Sequence, residues 1–95
     1  LGVILPLAGN LVTQEVINTR KAIAVRNVLE DPRQEVLRPI YELRGTVSLL
    51  VVPIVVRREV MGTIGLDALD ERIFTEQEIE LAQNVAAAAG QLIAN

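Results

Sequence analysis

The chain has no cysteine and no histidine, and Ser48 is its only serine. Without Cys there is no disulfide, no thiolate nucleophile, no Cys-ligated metal and no thioether-bound chromophore. Without His the commonest general base and metal ligand is missing as well. A hydrolytic triad cannot be assembled from what remains, so an enzyme is not expected. Aromatic residues are nearly absent too, with only Tyr41 and Phe74 and no Trp, so any core must be aliphatic and alanine-rich. There is no basic face: the formal net charge is −3 and the pI about 4.9. The scattered Lys and Arg residues have no aromatic neighbour to serve as a stacking platform, which argues against nucleic-acid contact. No apolar run approaches the roughly 20 residues of a membrane helix. Leu1 to Leu7 is apolar but lacks the basic lead-in and small-residue cleavage site of a signal peptide. No membrane contact and no cofactor are expected, and a cytoplasmic setting is the expectation.

What is present is 95 residues, 51% of them hydrophobic, enough for one domain with one core. The chain starts without Met and ends in a helical pattern, so it is expected to be part of a longer multidomain protein. Its organising stretch is Thr46 to Leu69. Val47, Leu49, Val51 and Val55 are apolar, and so are Leu50, Val52, Ile54 and Val56. A strand of that composition is buried on both faces. Arg57, Arg58 and Glu59 interrupt the run before Val60, Met61, Ile64, Leu66 and Leu69 resume it, which predicts a hairpin. Gly62 and Gly65 permit a bend in the second arm. Pro53 cannot donate to a ladder, so its nitrogen faces away from the partner strand or sits at a bulge.

Upstream, Leu1 to Leu7 reads as a strand, a core-covering segment or an unstructured remnant. Asn10 is a plausible N-cap for a helix from Leu11 to about Asn18. Ala22 to Val25 reads as a short strand. Asp31-Pro32 is a helix start, with Pro32 at the first helical position. Pro39 forbids one continuous helix beyond it, so the spacing predicts a kink or two short turns, with Arg38 pushed out of the helical region. Asp67 to Arg72 is a charged loop. Thr75 and Glu78 then form a capping box, and Phe74 and Ile79 a hydrophobic staple. The helix they open is expected to run from Glu76 to about Ala94, its buried stripe through Ile79, Ala82, Val85 or Ala86, Ala89 and Ile93. The residues alone thus give an α+β fold, an antiparallel sheet of three strands with two or three helices packed on it.

Several of these stretches carry a resemblance. SLLVVPI (Ser48 to Ile54), MGTIGLDAL and the closing FTEQEIELAQNVAAAAGQLIAN are similar to the GAF domain, a sensing and dimerising module of signalling proteins with a PAS-like architecture. LVTQEVINTRKAIAVRNVLEDPR fits more loosely. A complete GAF domain has an N-terminal helix and hairpin before the point where this chain begins, so two sheet strands are expected to be absent. The resemblance implies a small-molecule cavity lined by Val25, Asn27, Leu37, Ile40, Tyr41, Ser48, Leu50 and Val52; ordinary core is the competing reading. Tyr41 is expected half-buried, its hydroxyl reaching water. Bilin attachment, His-ligated haem and the cysteine-dependent methionine-sulfoxide reduction of some GAF proteins are excluded by composition. Asp70-Glu71 lacks the accompanying Asn-Lys and Phe of the cyclic-nucleotide subgroup and reads as a solvated loop. Asp67, Asp70 and Glu71 are three carboxylates without a turn glycine, a weak calcium signal. Arg57-Arg58 is a solvated turn or an anion contact. The function implied is a non-catalytic sensory or dimerisation domain of a sensor kinase or transcriptional regulator. The alternative is a structural interaction domain with no ligand. A homodimer is expected, with Val85, Ala86, Ala89, Gly90 and Ile93 as its interface.

Overall fold

The computed structural model describes residues 11–94. The expected segment Leu1 to Leu7 and the Asn10 cap lie outside the described residues. The order is helix α1 (Leu11–Thr19), strand β1 (Ile23–Val25), a 3-10 turn (Pro32–Gln34), helix α2 (Arg38–Arg44), strands β2 (Ser48–Val56) and β3 (Glu59–Ala68), and helix α3 (Glu76–Ala94). The sheet is antiparallel throughout in the order β1-β2-β3. The predicted architecture is therefore the observed one. No helix among the described residues is long and apolar enough to cross a membrane.

Because β2 is central and apolar on both sides, it divides the interior in two. Leu49 and Val51 join Val12, Val16, Val25, Val28, Leu37 and Tyr41 on the face covered by α1 and α2. Leu50 and Val52 join Ala82 and Ala86 of α3 on the opposite face, flanked by Ile54, Ile64, Leu66, Phe74 and Ile79. This is the period-2 consequence of one pleated strand carrying a continuous apolar run.

The helix ends follow local chemistry. Thr75 N–H donates to Glu78 Oε1 at 2.9 Å, and Glu78 N–H donates to Thr75 Oγ1 at 3.1 Å, so the capping box is complete. The staple pair Phe74 and Ile79 packs on the same cluster. Asp31 Oδ1 accepts from Arg33 N–H at 2.9 Å and starts the 3-10 turn, whose first residue is Pro32. Pro39 falls in the first turn of α2, where its missing donor costs nothing. The result is two short pieces instead of one helix. Arg38, expected outside the helical region, is the first residue of α2, because its neighbour Pro39 there needs no intrahelical partner.

The hairpin turn is tighter than the sequence pattern suggests. Glu59 already pairs with Val56, leaving only Arg57 and Arg58 in the loop. Both have positive φ, +52° and +70°, as a type I′ turn requires, although such turns favour Asn-Gly. Pro53 stands opposite Thr63, and the ladder slips just beyond it, between Ile54 and Val55. Gly62 and Gly65 are not forced: an added Cβ there meets nothing closer than 3.7 Å.

Each left-handed arginine costs on the order of 1 kcal/mol relative to a residue at ease in that region. Arg57→Asn with Arg58→Gly should therefore raise the unfolding free energy by about 1–2 kcal/mol, or roughly 4–8 °C in midpoint per kcal/mol for a chain of this size. Calorimetry at low micromolar concentration checks this, and an unchanged or lowered midpoint contradicts it.

Candidate functional site

The polar groups worth following are those the fold buries. Ser48, the first residue of β2, is fully buried. Its Oγ lies 2.5 Å from the Arg26 carbonyl and 2.9 Å from the Asp70 carbonyl, and accepts from Arg72 N–H at 2.9 Å. A hydroxyl has one proton and two lone pairs; here the proton is directed at backbone carbonyls and one lone pair takes the Arg72 N–H. Ser48 ties the residue after β1 and the loop after β3 to the start of β2. It anchors the sheet through these backbone contacts.

Asn27 is similarly engaged. Its Oδ1 accepts from Leu29 N–H at 3.0 Å and its Nδ2 donates to Glu71 Oε1 at 3.3 Å. Arg26 reaches the same carboxylate at 3.6 Å. Asp67 pairs with Arg44 and accepts from Thr46 Oγ1 at 3.0 Å. The three loop carboxylates thus do not share a centre: Asp67 and Glu71 face different partners. Among the described residues no group of three acidic side chains is placed to hold a metal ion.

Tyr41 is wholly buried, which corrects the expectation of a hydroxyl in water. It points from α2 into the cluster with Val12, Val16, Leu49 and Val51, and its hydroxyl donates instead to Gln34 Oε1 at 3.2 Å. Gln34 is also wholly buried, and its Nε2 has no hydrogen-bond acceptor among the described residues. A buried amide donor left unpaired costs about 1–3 kcal/mol. Burial, with the Asp67 charge adding to it, pushes the Tyr41 hydroxyl up to about 12.

The expected cavity lining does not converge on one space. Val25, Leu37 and Tyr41 lie in the α1–α2 cluster with Ile40 packed against it. Leu50 and Val52 lie in the α3 cluster on the other side of the sheet. Adjacent positions on one strand point to opposite faces, so a set that mixes Tyr41 with Leu50 straddles β2. Leu49 and Val51 occupy the α2-side places. Gln34 escaped notice in the sequence, although its spacing of seven from Tyr41 across a broken helical stretch is a legible signal for a shared face.

On the α3 side a cleft of about 320 Å3 opens between the helix and the sheet. Its walls are Leu50, Ile64, Leu66, Phe74, Leu81 and Val85, with Glu78 at the rim. The Glu78 carboxyl is held below the ordinary range, chiefly by the Thr75 N–H. The expected interface on α3 divides. Ala86 and Gly90 are buried against the chain's own sheet, while Val85 and Ile93 are exposed. A Cβ on Gly90 would stand 3.3 Å from the Val55 carbonyl oxygen and from Val56 Cγ2. The small residues Ala82, Ala86 and Gly90 thus let α3 sit close on β2 and β3, and Ala86 and Gly90 are not free to meet a partner.

The sequence profile of the GAF domain matches residues 2–93. The chain belongs to the GAF domain family. Solved structures agree with the fold. The GAF domain of a phosphoenolpyruvate-protein phosphotransferase from Coxiella burnetii superposes with a TM-score of 0.79 at 21% identity, over 90% of this chain and 51% of that one. A domain of a putative two-component sensor histidine kinase from Sinorhizobium meliloti gives 0.74 at 23%, over 79% and 52%. Type II free methionine-R-sulfoxide reductase from Thermoplasma acidophilum gives 0.73 at 19%, over 90% and 57%. No curated protein sequence matches the chain. This GAF domain spans about half the length of the structures it resembles.

Two outcomes test this GAF domain's buried polar groups. Ser48→Ala orphans the Arg72 N–H, so it should cost about 1–3 kcal/mol; urea unfolding measures it. The Tyr41 hydroxyl binds its proton more tightly folded than unfolded. Its contribution is therefore full below pH about 10, the unfolded pKa, and is lost as pH rises through about 12. Tyr41→Phe should flatten stability between those limits, and an alkaline limb identical to wild type contradicts the assignment.

Proposed function

We propose that this chain is a non-catalytic sensory module of a cytoplasmic signalling protein such as a sensor kinase or transcriptional regulator. It takes a small molecule with a hydrogen-bond acceptor on the α2 face of the sheet. The observation that carries this reading is the unpartnered Gln34 Nε2, buried beside Tyr41 in an otherwise apolar cluster. A mostly apolar site with a few placed polar groups is the usual design of a small-molecule pocket. A ligand carbonyl or carboxylate at Nε2 recovers the unpaired donor. The absence of Cys and His supports binding without catalysis, and membership of a family with a solved relative in a sensor kinase supports the signalling setting.

Transmission follows from the shared strand. Leu49 and Val51 face the ligand side while Leu50 and Val52 carry α3. A shift of β2 on occupancy is handed to α3 without any intervening loop. A conformational response of this kind needs a ligand with differential affinity for two placements of β2.

Thermal shift against a panel of carboxylate and carbonyl metabolites tests the reading. A ligand at about a hundred times its Kd stabilises by about 2.7 kcal/mol, a rise of roughly 10 °C or more at this size. Gln34→Leu combined with Tyr41→Phe replaces both polar partners and should leave the free protein's stability within about 1 kcal/mol while abolishing that rise. If no compound raises the midpoint, sensing fails and the chain stands as an interaction domain without a ligand. If the double variant keeps the full rise, the ligand binds elsewhere.

A further inference from the structure

Gln34 Nε2 is not alone: Arg38 Nε is a second buried donor without an acceptor among the described residues. The two lie four residues apart on one continuous run of turns. Leu37 N–H donates to the Gln34 carbonyl at 3.1 Å, Arg38 N–H to the Glu35 carbonyl at 3.3 Å and Tyr41 N–H to the Leu37 carbonyl at 3.1 Å. Glu35 and Leu37, between the 3-10 turn and α2, both have right-handed helical backbone. Positions 34, 38 and 41 thus follow at spacings of four and three, which bring side chains onto one face. The bond from the Tyr41 hydroxyl to Gln34 Oε1 shows that this face turns toward the buried cluster.

Arg38 has carboxylates close by in the chain and does not use them. Glu35 stands three residues before it and Glu42 four after, both exposed and both at spacings suited to a helical ion pair. Among the described residues no carboxylate pairs with Arg38. Its Nε is instead withdrawn from water, while the residue as a whole is half-buried and so within reach of solvent. A guanidinium cannot shed its charge, so a sealed Nε without an acceptor carries a cost that an anion offsets.

We propose that the ligand of the α2 face is a small aliphatic carboxylate, held between Gln34 Nε2 and Arg38 Nε. This rests on the reading that Gln34 meets a ligand, and narrows that ligand from any acceptor to an anion. The two donors match the two oxygens of a carboxylate: one accepts from Nε2, the other from Nε. The Tyr41 hydroxyl occupies Gln34 Oε1, which leaves Nε2 as the free end of the amide. Gln34 thus supplies a directional donor, and Arg38 supplies the compensating charge that makes a buried anion tolerable. A neutral carbonyl satisfies Gln34 and leaves Arg38 unanswered, so the site favours an acid over its own amide. Phosphate fits less well, because its remaining oxygens and second charge would lie unpaired against hydrocarbon. The surrounding cluster is otherwise aliphatic, which suits an acid with an apolar body.

Acetate, propionate, butyrate and isovalerate, each set against its primary amide, test this by titration calorimetry on the chain. At least one acid should bind about tenfold more tightly than its amide. In NMR spectra the side-chain N–H signals of both Gln34 and Arg38 should move as that acid is added. Arg38→Gln should weaken the acid about tenfold and leave the amide within about threefold, so that the two become equal; the melting midpoint of the free variant checks that it folds. Equal binding of acid and amide by wild type overturns the proposal. So does an acid that binds without moving the Arg38 Nε–H signal, and so does a folded Arg38→Gln variant that keeps the preference. Each of those results leaves Gln34 with its ligand. If neither acids nor amides bind, the underlying reading falls, and this proposal with it.

Discussion

Everything in this domain depends on β2 being too apolar to leave either face wet. After Ser48 the strand offers Leu49, Leu50, Val51 and Val52 in succession, all under 5% exposed. Burying a side chain of that size contributes about 1.5–3 kcal/mol, so neither face can be surrendered to water. Helices must therefore lie on both sides, and the chain supplies them from its two ends: α1 and α2 before the strand, α3 after it. A β-strand coated on both faces leaves two routes outward, its edges. β1 covers one over only three residues, Leu49 to Val51; β3 covers the other along its full length.

How much of this could be read from the residues depends on how local the cause is. The capping box at Thr75 and Glu78 is settled by four consecutive positions, and it was legible in full. The apolar run of β2 shows that both faces are buried, because no other strand environment tolerates it. It does not show which neighbour each face meets. That ambiguity is why the inferred ligand lining took Leu50 and Val52 where Leu49 and Val51 stand. The α3 stripe shows the same limit. Alanine is compatible with either a buried or an exposed place, so the residues left Val85 and Ala86 as alternatives for the stripe, of which Ala86 is buried and Val85 exposed. The two-residue turn at Arg57-Arg58 was obscured because its sequence opposes its conformation; tertiary pairing of Val56 with Glu59 overrides local preference.

Among the buried polar groups the fold treats superficially similar residues differently. Ser48 and Gln34 are both inaccessible, yet Ser48 is held by backbone partners and Gln34 Nε2 has none among the described residues. Ser48 sits where three chain segments converge with carbonyls and an amide already aimed inward, so its hydroxyl completes a network. Gln34 ends a 3-10 turn whose own backbone needs are met, and its amide extends past them into hydrocarbon. A buried polar group with its partners in place rigidifies its surroundings, whereas one without a partner carries a cost.

The knot at Ser48 has a mechanical side. It grips Arg72 N–H four residues ahead of α3, and the Thr75–Glu78 box holds the helix's first turn. The root of α3 is thus pinned to the sheet by directional bonds. Its far half rests on the sheet through Ala86, in the cluster with Leu50 and Val52, and through Gly90 against Ile54 to Val56, a contact of small side chains. Such an element behaves as a lever with a fixed fulcrum. With 19 residues it is about 28 Å long, so a tilt of about 2° at the root becomes a displacement of about 1 Å at Ala94. A movement too small to disturb the core is in this way enlarged at the far end of the helix.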